Sequence, residues 1–232
     1  MTTHWSVVLA AGEDDSSRRG RALEALCGTY WPPIYGYLRR MGYNSEDAED
    51  LTQEYFAHLL RKNLPSRADP TKGKFRSFLL HTLKQFVADQ RSKARAIKRG
   101  GGAVLVSLDA QAEECRGRGE VADSLSPERA FERRWVEIIL DRVASRLEQE
   151  YTASGRKKLF DKLQSFQPGE QQSVSYEEAA NRLDLSLPAT KSAIHRLRRR
   201  HGELLREEIA QTVSSPDEID DEVRYFISCW SQ

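Results

Sequence analysis

Apolar residues recur every three to four positions along most of this 232-residue chain, and no alternating strand pattern persists for more than a few residues. A period near 3.6 places such residues on one face of a helix, whereas a half-buried strand would alternate every second residue. We therefore predict an all-α protein. Because abundant charge accompanies a modest apolar content, we expect two small domains and not one large one.

Three amphipathic helices are predicted in the first hundred residues. The first spans residues 21–40, and Pro32 and Pro33 are expected to bend it. Asn44 or Ser45 can cap the second helix, and the third follows the loop PSRADPTKGK. Their apolar stripes are Leu23, Leu26, Tyr30, Ile34, Tyr37 and Leu38; Leu51, Tyr55, Phe56, Leu59 and Leu60; and Phe75, Phe78, Leu79, Leu83, Phe86 and Val87.

The periodic pattern stops near Gly100 and resumes after Ser126. Glycine, mixed charges and small residues between them bury too little apolar area to order a chain, which predicts a flexible linker. We accordingly predict a first domain at 1–100, a linker at 101–126, a second domain at 127–212 and an acidic amphipathic tail at 213–232. The sequence assigns no role to residues 1–17.

Several classes of protein are not expected. Because no run of eighteen apolar residues occurs and the N-terminus lacks a basic segment before its short apolar patch, we expect neither a membrane span nor a signal peptide, and a cytoplasmic location. Cys27, Cys115 and Cys229 lie far apart without a CxxC motif, so neither a disulfide framework nor a zinc site is expected. No cofactor is predicted.

The net charge is only +1, yet the charges are sorted along the chain. Between Lys72 and Arg99 the only acid is Asp89, and a second basic cluster spans residues 186–200. Two interpretations remain open on this pattern: a polyanion that binds in two places, or two solvated helix faces.

The segment SYEEAANRLDLSLPATKSAIHRLRRRHGELL predicts a helix-turn-helix. Ser175 and Glu178 form a capping box, residues 184–186 make a tight turn, and Pro188 begins the second helix. In that helix Thr190, Ala193, Ile194 and Leu197 face inward, so the outward side chains are Lys191, Ser192, His195, Arg196 and Arg199. Such a face can enter a major groove, although a solvated basic helix in an ordinary bundle has the same pattern.

This segment resembles region four of bacterial sigma factors of the extracytoplasmic-function type, whose helix-turn-helix recognises the minus-thirty-five promoter element. YNSEDAEDLTQEYFAHLL resembles the acidic helix of their region two, and KFRSFLLHTLKQFVADQRSK resembles the following aromatic and basic helix. The resemblance implies a sigma region 2 bundle and a sigma region 4 domain joined by a linker. It also implies a non-enzymatic role: directing core RNA polymerase to promoters and assisting promoter opening.

The resemblance assigns three sets of residues. Polymerase binding, through the clamp coiled coil of the largest subunit, is implied for Asp50, Gln53 and Glu54. Binding of the minus-ten element is implied for Lys72, Lys74, Arg76, Phe78, Lys84, Gln85 and Arg91. Binding of the minus-thirty-five element is implied for Lys191, Ser192, His195 and Arg196, with Arg199 and Arg200 placed for phosphates.

The chain departs from the family pattern at three of its positions. The family commonly has Trp where Phe78 stands and Asn where Gln85 stands, which changes reach and leaves the minus-ten base preference open. It often has Gly where Asp184 stands, but Asp tolerates left-handed backbone geometry. The chief alternative function is a polymerase-independent helix-turn-helix regulator that binds duplex DNA as a dimer. A nucleic-acid enzyme has no metal cluster, nucleophile-base pair or phosphate loop to support it.

The resemblance does not explain the last residues. After Pro216, apolar residues recur at helical spacing, and five acids oppose Arg224. The predicted inner stripe is Ile219, Val223, Phe226, Ile227 and Trp230. Two hypotheses stay open: a tail that docks on one of the chain's own domains and competes with DNA, or a helix that completes the core of the second domain. The sequence does not specify which promoters are recognised, the inducing signal, or whether an anti-sigma factor exists.

Overall fold

A computed structural model describes residues 5–12, 16–100, 125–168 and 174–230 of the chain. These residues form helices, 3₁₀ turns and loops and contain no strand, which confirms the predicted all-α fold. They belong to two compact units, the first comprising Met1–Glu137 with Gln211–Gln232 and the second Ile138–Ala210. The predicted linker at 101–126 lies outside the described residues apart from its last two.

The described residues contain α-helices in both units. In chain order they are α1 (Trp5–Gly12), α2 (Ser16–Arg40), α3 (Ser45–Arg61), α4 (Phe75–Gly100), α5 (Pro127–Ala153), α6 (Lys157–Leu163), α7 (Tyr176–Leu183), α8 (Leu187–Ala210) and α9 (Ile219–Trp230). Short 3₁₀ turns lie at Leu64–Arg67, Pro70–Lys72, Gln164–Phe166 and Pro216–Glu218.

The core of the first unit contains most of the predicted stripes of α2, α3 and α4, although Leu60 of the α3 stripe is exposed. Tyr30 of α2 lies edge-on to Phe75 of α4, with ring centroids 5.7 Å apart. Tyr55 of α3 is fully buried and donates a hydrogen bond to the carbonyl oxygen of Leu79 over 2.9 Å. Because the Tyr55 hydroxyl has this acceptor, it is buried without losing its hydrogen bond. The bond also links α3 to α4.

The N-terminal part of the first unit differs from the prediction. Helix α2 begins at Ser16, earlier than expected, and continues through Pro32 and Pro33. Helix α1 was not predicted; its Trp5 packs edge-on against Phe75 with centroids 6.1 Å apart. Gly12 lies so close to Ser66 that a Cβ atom would stand 2.9 Å from the Ser66 Cα, so this contact requires glycine.

The second unit contains the rest of α5 together with α6, α7 and α8. Ile139, Val143 and Leu147 are completely buried at the four-residue spacing of one helix face. Ile194 and Leu197 of α8 are buried as predicted. The unit therefore has its own apolar core.

The start of α5 and the tail helix α9 group with the first unit. Phe131 stacks on Tyr30 with centroids 6.4 Å apart, and Trp135 lies edge-on to Phe226 at 6.0 Å. The predicted domain boundaries place residues 127–137 and 211–212 with the second domain instead. The difference arises because the first turns of α5 carry aromatic side chains that pack against α2 and α9.

Helix α9 forms where it was predicted but buries a different face. Glu222 and Phe226 are buried, whereas Ile227 is 53% exposed and Trp230 is 39% exposed. Glu222 meets two cations inside the first unit, so an acid takes the most buried position of this helix. A buried face that is predicted only from the spacing of apolar residues cannot include this glutamate.

Candidate nucleic-acid interfaces

Helix α3 presents an acidic face. Asn44 caps it by accepting a hydrogen bond from the Asp47 amide over 2.8 Å, and acids in the first turn suit the positive end of the helix dipole. Asp50, Gln53 and Glu54 are exposed, while the neighbouring aromatic residues Tyr55 and Phe56 are buried. The three predicted polymerase-binding residues thus share one solvent-facing surface, since they are spaced i, i+3 and i+4.

A tight turn leads into the basic helix α4. Asp69 caps the 3₁₀ turn Pro70–Lys72, accepting from the Thr71 amide over 2.9 Å. Gly73 has φ 127°, a backbone region that disfavours other residues, and it separates Lys72 from Lys74. The Lys72 side chain is 82% exposed and lies 3.5 Å from Asp69, so it remains available to a phosphate.

Lys74 and Arg76 are not similarly available. The Arg76 side chain is only 4% exposed and forms ion pairs with Glu222 and, over 3.2 Å, with Glu132. Lys74 pairs with the same Glu222. Burial alone would lower the pKa of Arg76, but these two carboxylates more than reverse that effect and raise it. The structure therefore places two predicted DNA-binding cations beneath the tail helix.

An aromatic and amide pair lies further along α4. Phe78 is half-buried and stacks on Phe75 with centroids 5.9 Å apart and the rings inclined by 26°. Gln85 is exposed, and its amide lies 3.1 Å from the His81 ring nitrogen. A partly accessible ring and an exposed amide two turns away provide a stacking surface and a hydrogen-bonding group for an unpaired base.

The two remaining predicted cations of this surface have protein partners. Lys84 is exposed and pairs with Glu128 over 2.8 Å, and its hydrogen bond lowers the pKa of that carboxyl. Arg91 is half-buried, lies over the Tyr43 ring and donates to the Tyr43 hydroxyl over 3.1 Å. Tyr43 thus orients a predicted DNA-binding arginine. The sequence did not indicate this role, because Tyr43 lies between two predicted helices.

In the second unit, α7 and α8 are joined by a tight turn where the helix-turn-helix was predicted. The Ser175 hydroxyl accepts from the Glu178 amide over 3.1 Å, which caps α7 as expected. Asp184 ends α7 in the left-handed conformation, with φ 53° and ψ 46°. Aspartate is one of the few residues that adopt this conformation readily, so the turn survives without glycine.

The outward face of α8 carries the predicted reading residues. Lys191, Ser192, His195, Arg196 and Arg199 are all exposed. The ammonium group of Lys191 lies 5.9 Å from the centroid of the Tyr176 ring, a weak contact that a base edge can replace. Thr190, Ala193, Ile194 and Leu197 are buried beneath them, as predicted. This face therefore combines donors for base edges with cations for phosphates.

Arg200 does not share this environment. It is half-buried and donates to Glu150 of α5, and these bonds raise its pKa while they lower the pKa of Glu150. The next residue, His201, is buried, and burial lowers its pKa. The role of Arg200 as a phosphate contact stays a prediction, and in this arrangement its guanidinium already holds a carboxylate.

Glu222 is the site residue that sequence reasoning missed. It was counted only as one of five tail acids, yet it lies four residues before the buried Phe226 and shares its helix face. That spacing is the one signal that could have singled it out.

Within the described ranges, none of the helices has the length and apolarity needed to cross a bilayer. Among the same residues, no three His, Cys, Asp or Glu side chains converge as metal ligands would.

Comparison with known proteins gives one family. Residues 26–97 match the family model described as Sigma-70 region 2. This range runs from α2 to α4 and contains the acidic face of α3 and the aromatic and basic surface of α4, whereas the helix-turn-helix lies outside it. Searches of curated proteins and of solved structures found no match.

Proposed function

We propose that this chain, which contains a Sigma-70 region 2 domain, is a sigma factor of the extracytoplasmic-function type that reads two promoter elements through two separate units. The domain itself indicates a role in promoter-directed transcription initiation, with core RNA polymerase and promoter DNA as partners. Proteins of this family act by binding and not by catalysis.

The family match is the observation that best supports this function. The matched range includes Asp50, Gln53 and Glu54, whose carboxylates and amide are exposed on one face. In the proposed mechanism this acidic face docks on a basic helical surface of the polymerase clamp. Complementary charge steers such an association and fixes its orientation.

Promoter opening is assigned to α4. A base that leaves the stack would lie against Phe78, and the amide of Gln85 would bond its edge. Lys72, Lys84 and Arg91 would neutralise phosphates of the same strand. Binding the unpaired strand lowers the free-energy cost of strand separation without any covalent step.

Recognition of the minus-thirty-five element is assigned to α8. Lys191, Ser192, His195 and Arg196 would reach base edges in the major groove, and Arg199 would reach the backbone. A helix-turn-helix also occurs in regulators that bind DNA without polymerase, so the two functions must be separated by experiment.

Reconstituted transcription on a promoter library provides the test. Core polymerase with the purified chain should produce run-off transcripts from templates that share two spaced elements, and omission of the chain should abolish them. Binding of the chain alone to two-fold symmetric duplex sites, with no transcripts from any template, would instead support the polymerase-independent regulator.

A further inference from the structure

We infer that the tail helix α9 is an internal competitor of nucleic acid, in which the Glu222 carboxylate occupies the place of a strand phosphate between Lys74 and Arg76. The competed surface is the α4 surface of the proposed function, on which this inference rests. The partner that displaces the tail is single-stranded DNA.

Glu222 uses both of its oxygens. Arg76 Nη1 donates to Oε1 and Lys74 Nζ donates to Oε2, and the carboxylate is completely buried. A phosphate offers the same arrangement, since two of its oxygens accept from a guanidinium fork or an ammonium group. The two cations therefore form an anion site that the chain fills with its own side chain.

Aromatic contacts hold the carboxylate there. Phe226, one turn after Glu222, lies edge-on to Trp135 of α5. The Arg76 guanidinium lies 4.5 Å from the Trp135 ring centroid and 5.1 Å from that of Tyr225. Tyr225 also lies 5.5 Å from the Lys74 ammonium. Tail and cation site thus pack as one cluster within the first unit.

The contact is suited to release. Desolvation offsets much of the Coulomb attraction in a buried ion pair, so a phosphate that takes the place of the carboxylate does not have to repay the whole attraction. Arg76 also pairs with Glu132 at 3.2 Å, so a second carboxylate already lies beside its guanidinium. Ile227 and Trp230 remain largely exposed on the outer face of α9, so much of this helix is not committed to the core.

A DNA strand has an advantage that the tail lacks. It can pair with Lys74 and Arg76 and with the exposed Lys72 at the same time, releasing counterions at each contact. Displacement of Glu222 by a strand is therefore favoured most at low salt.

The experiment compares Glu222→Gln with Asp221→Asn in the full chain. Both variants remove one negative charge from neighbouring positions, but Asp221 is exposed and pairs only locally with Arg224, at 2.8 Å. Binding of fluorescein-labelled single-stranded DNA is measured by anisotropy at several salt concentrations. Glu222→Gln should bind several-fold more tightly than Asp221→Asn, because its tail no longer competes for the two cations. The log–log salt slopes should be similar, since a strand that displaces the tail contacts the same phosphates in both variants.

Hydrogen exchange on the wild-type chain gives a second measurement that needs no variant. Saturation with the same oligonucleotide should increase amide exchange across residues 219–230 while it protects α4. This readout decides the matter if Glu222→Gln does not fold. Bound DNA with unchanged protection of α9 would overturn the inference, as would equal affinities of two folded variants or no DNA binding by either.

The outcomes distinguish a failure of this inference from a failure of the proposed function. Transcription that depends on the chain, combined with a tail that stays in place on DNA, would refute the inference alone and identify α9 as a structural brace. Tail release on DNA without any polymerase-dependent transcription would refute the proposed function alone.

Discussion

Arg200 and Glu150 are joined by two hydrogen bonds within the second unit, from Nε over 2.8 Å and from Nη2 over 2.7 Å. The pair links α8 to α5, fifty residues earlier in the chain. Arg199, its neighbour, points to solvent and meets only Glu203 of its own helix, at 3.5 Å. Adjacent arginines on one helix therefore have different environments: one is paired with another helix, and the other is exposed.

Replacing either arginine should separate these roles. Arg200→Ala should lower the free energy of unfolding by about 1 kcal/mol, because a two-bond guanidinium–carboxylate pair is stronger than an ordinary surface pair. Arg199→Ala should leave stability unchanged and weaken duplex binding without altering sequence preference. Urea denaturation and binding to promoter and non-promoter duplexes measure the two effects. The reverse assignment of effects would contradict the structure.

Acid should weaken the stabilisation that the Arg200–Glu150 pair provides. The folded-state pKa of Glu150 lies below its ordinary 4.5, so its contribution is complete above that value and is lost as the pH falls through the lowered pKa. The difference in stability between wild type and Arg200→Ala should therefore shrink below about pH 4. A constant difference from neutral to acid pH would show that packing, and not this ion pair, is responsible.

His201 should make the second unit sensitive to mild acid. Its folded-state pKa lies below the ordinary 6.5, so the unfolded chain binds the proton more readily and stability falls as the pH drops below 6.5. His201→Leu should flatten the dependence of the melting temperature on pH between about 7 and 5. His195→Ala, at an exposed position of the same helix, provides the matched control variant.

The outward face of α8 should determine promoter selectivity. Lys191→Ala and Arg196→Ala should each lose about 1–3 kcal/mol of discrimination between the preferred and a substituted minus-thirty-five element. Lys158→Ala removes an exposed lysine from α6 and should not change selectivity. Unaltered discrimination in both of the first two variants would exclude this face as the reading surface.

The acidic face of α3 should determine polymerase affinity. The double variant Asp50→Lys with Gln53→Ala should lose at least about 2 kcal/mol of binding to core polymerase, as expected for residues at the centre of a charged interface. Circular dichroism should stay unchanged because both side chains are exposed. Glu24→Lys reverses an exposed charge on α2 and serves as the control. Normal affinity in the double variant would refute the docking surface.

Phe78 should contribute to capture of the minus-ten strand. Phe78→Ala should weaken binding of polymerase holoenzyme to a fork template with an unpaired minus-ten strand by about 1–3 kcal/mol, the usual value of stacking one base. Phe78→Trp should retain binding, since a larger ring offers the same surface. If the alanine variant binds the fork normally, Phe78 only packs against Phe75.

Local signals were sufficient to predict most of the helices, although not α1, and the exposure of the two candidate faces on α3 and α8. Periodicity located α3, α4 and α8, and capping chemistry located Asn44 and Ser175 at helix starts. The exposure of Asp50 and Lys191 could be predicted in the same way, because burial of the opposite stripe forces these positions outward. The turn at Asp184 could also be predicted, because aspartate tolerates the left-handed backbone conformation that this position adopts. Residues 101–124, where the linker was predicted, lie outside the described part of the chain.

Which cations are free could be decided only by the tertiary structure. Arg76 and Arg200 look like their neighbours in sequence, but Arg76 meets a carboxylate 146 residues away and Arg200 meets one 50 residues away. Residues so far apart in sequence produce no helical periodicity from which their pairing could be predicted. An ion pair also depends on side-chain geometry, which composition does not specify. Sequence alone therefore determined most of the helices and their charged faces, whereas packing between distant helices determined which charges pair within the protein and which remain exposed.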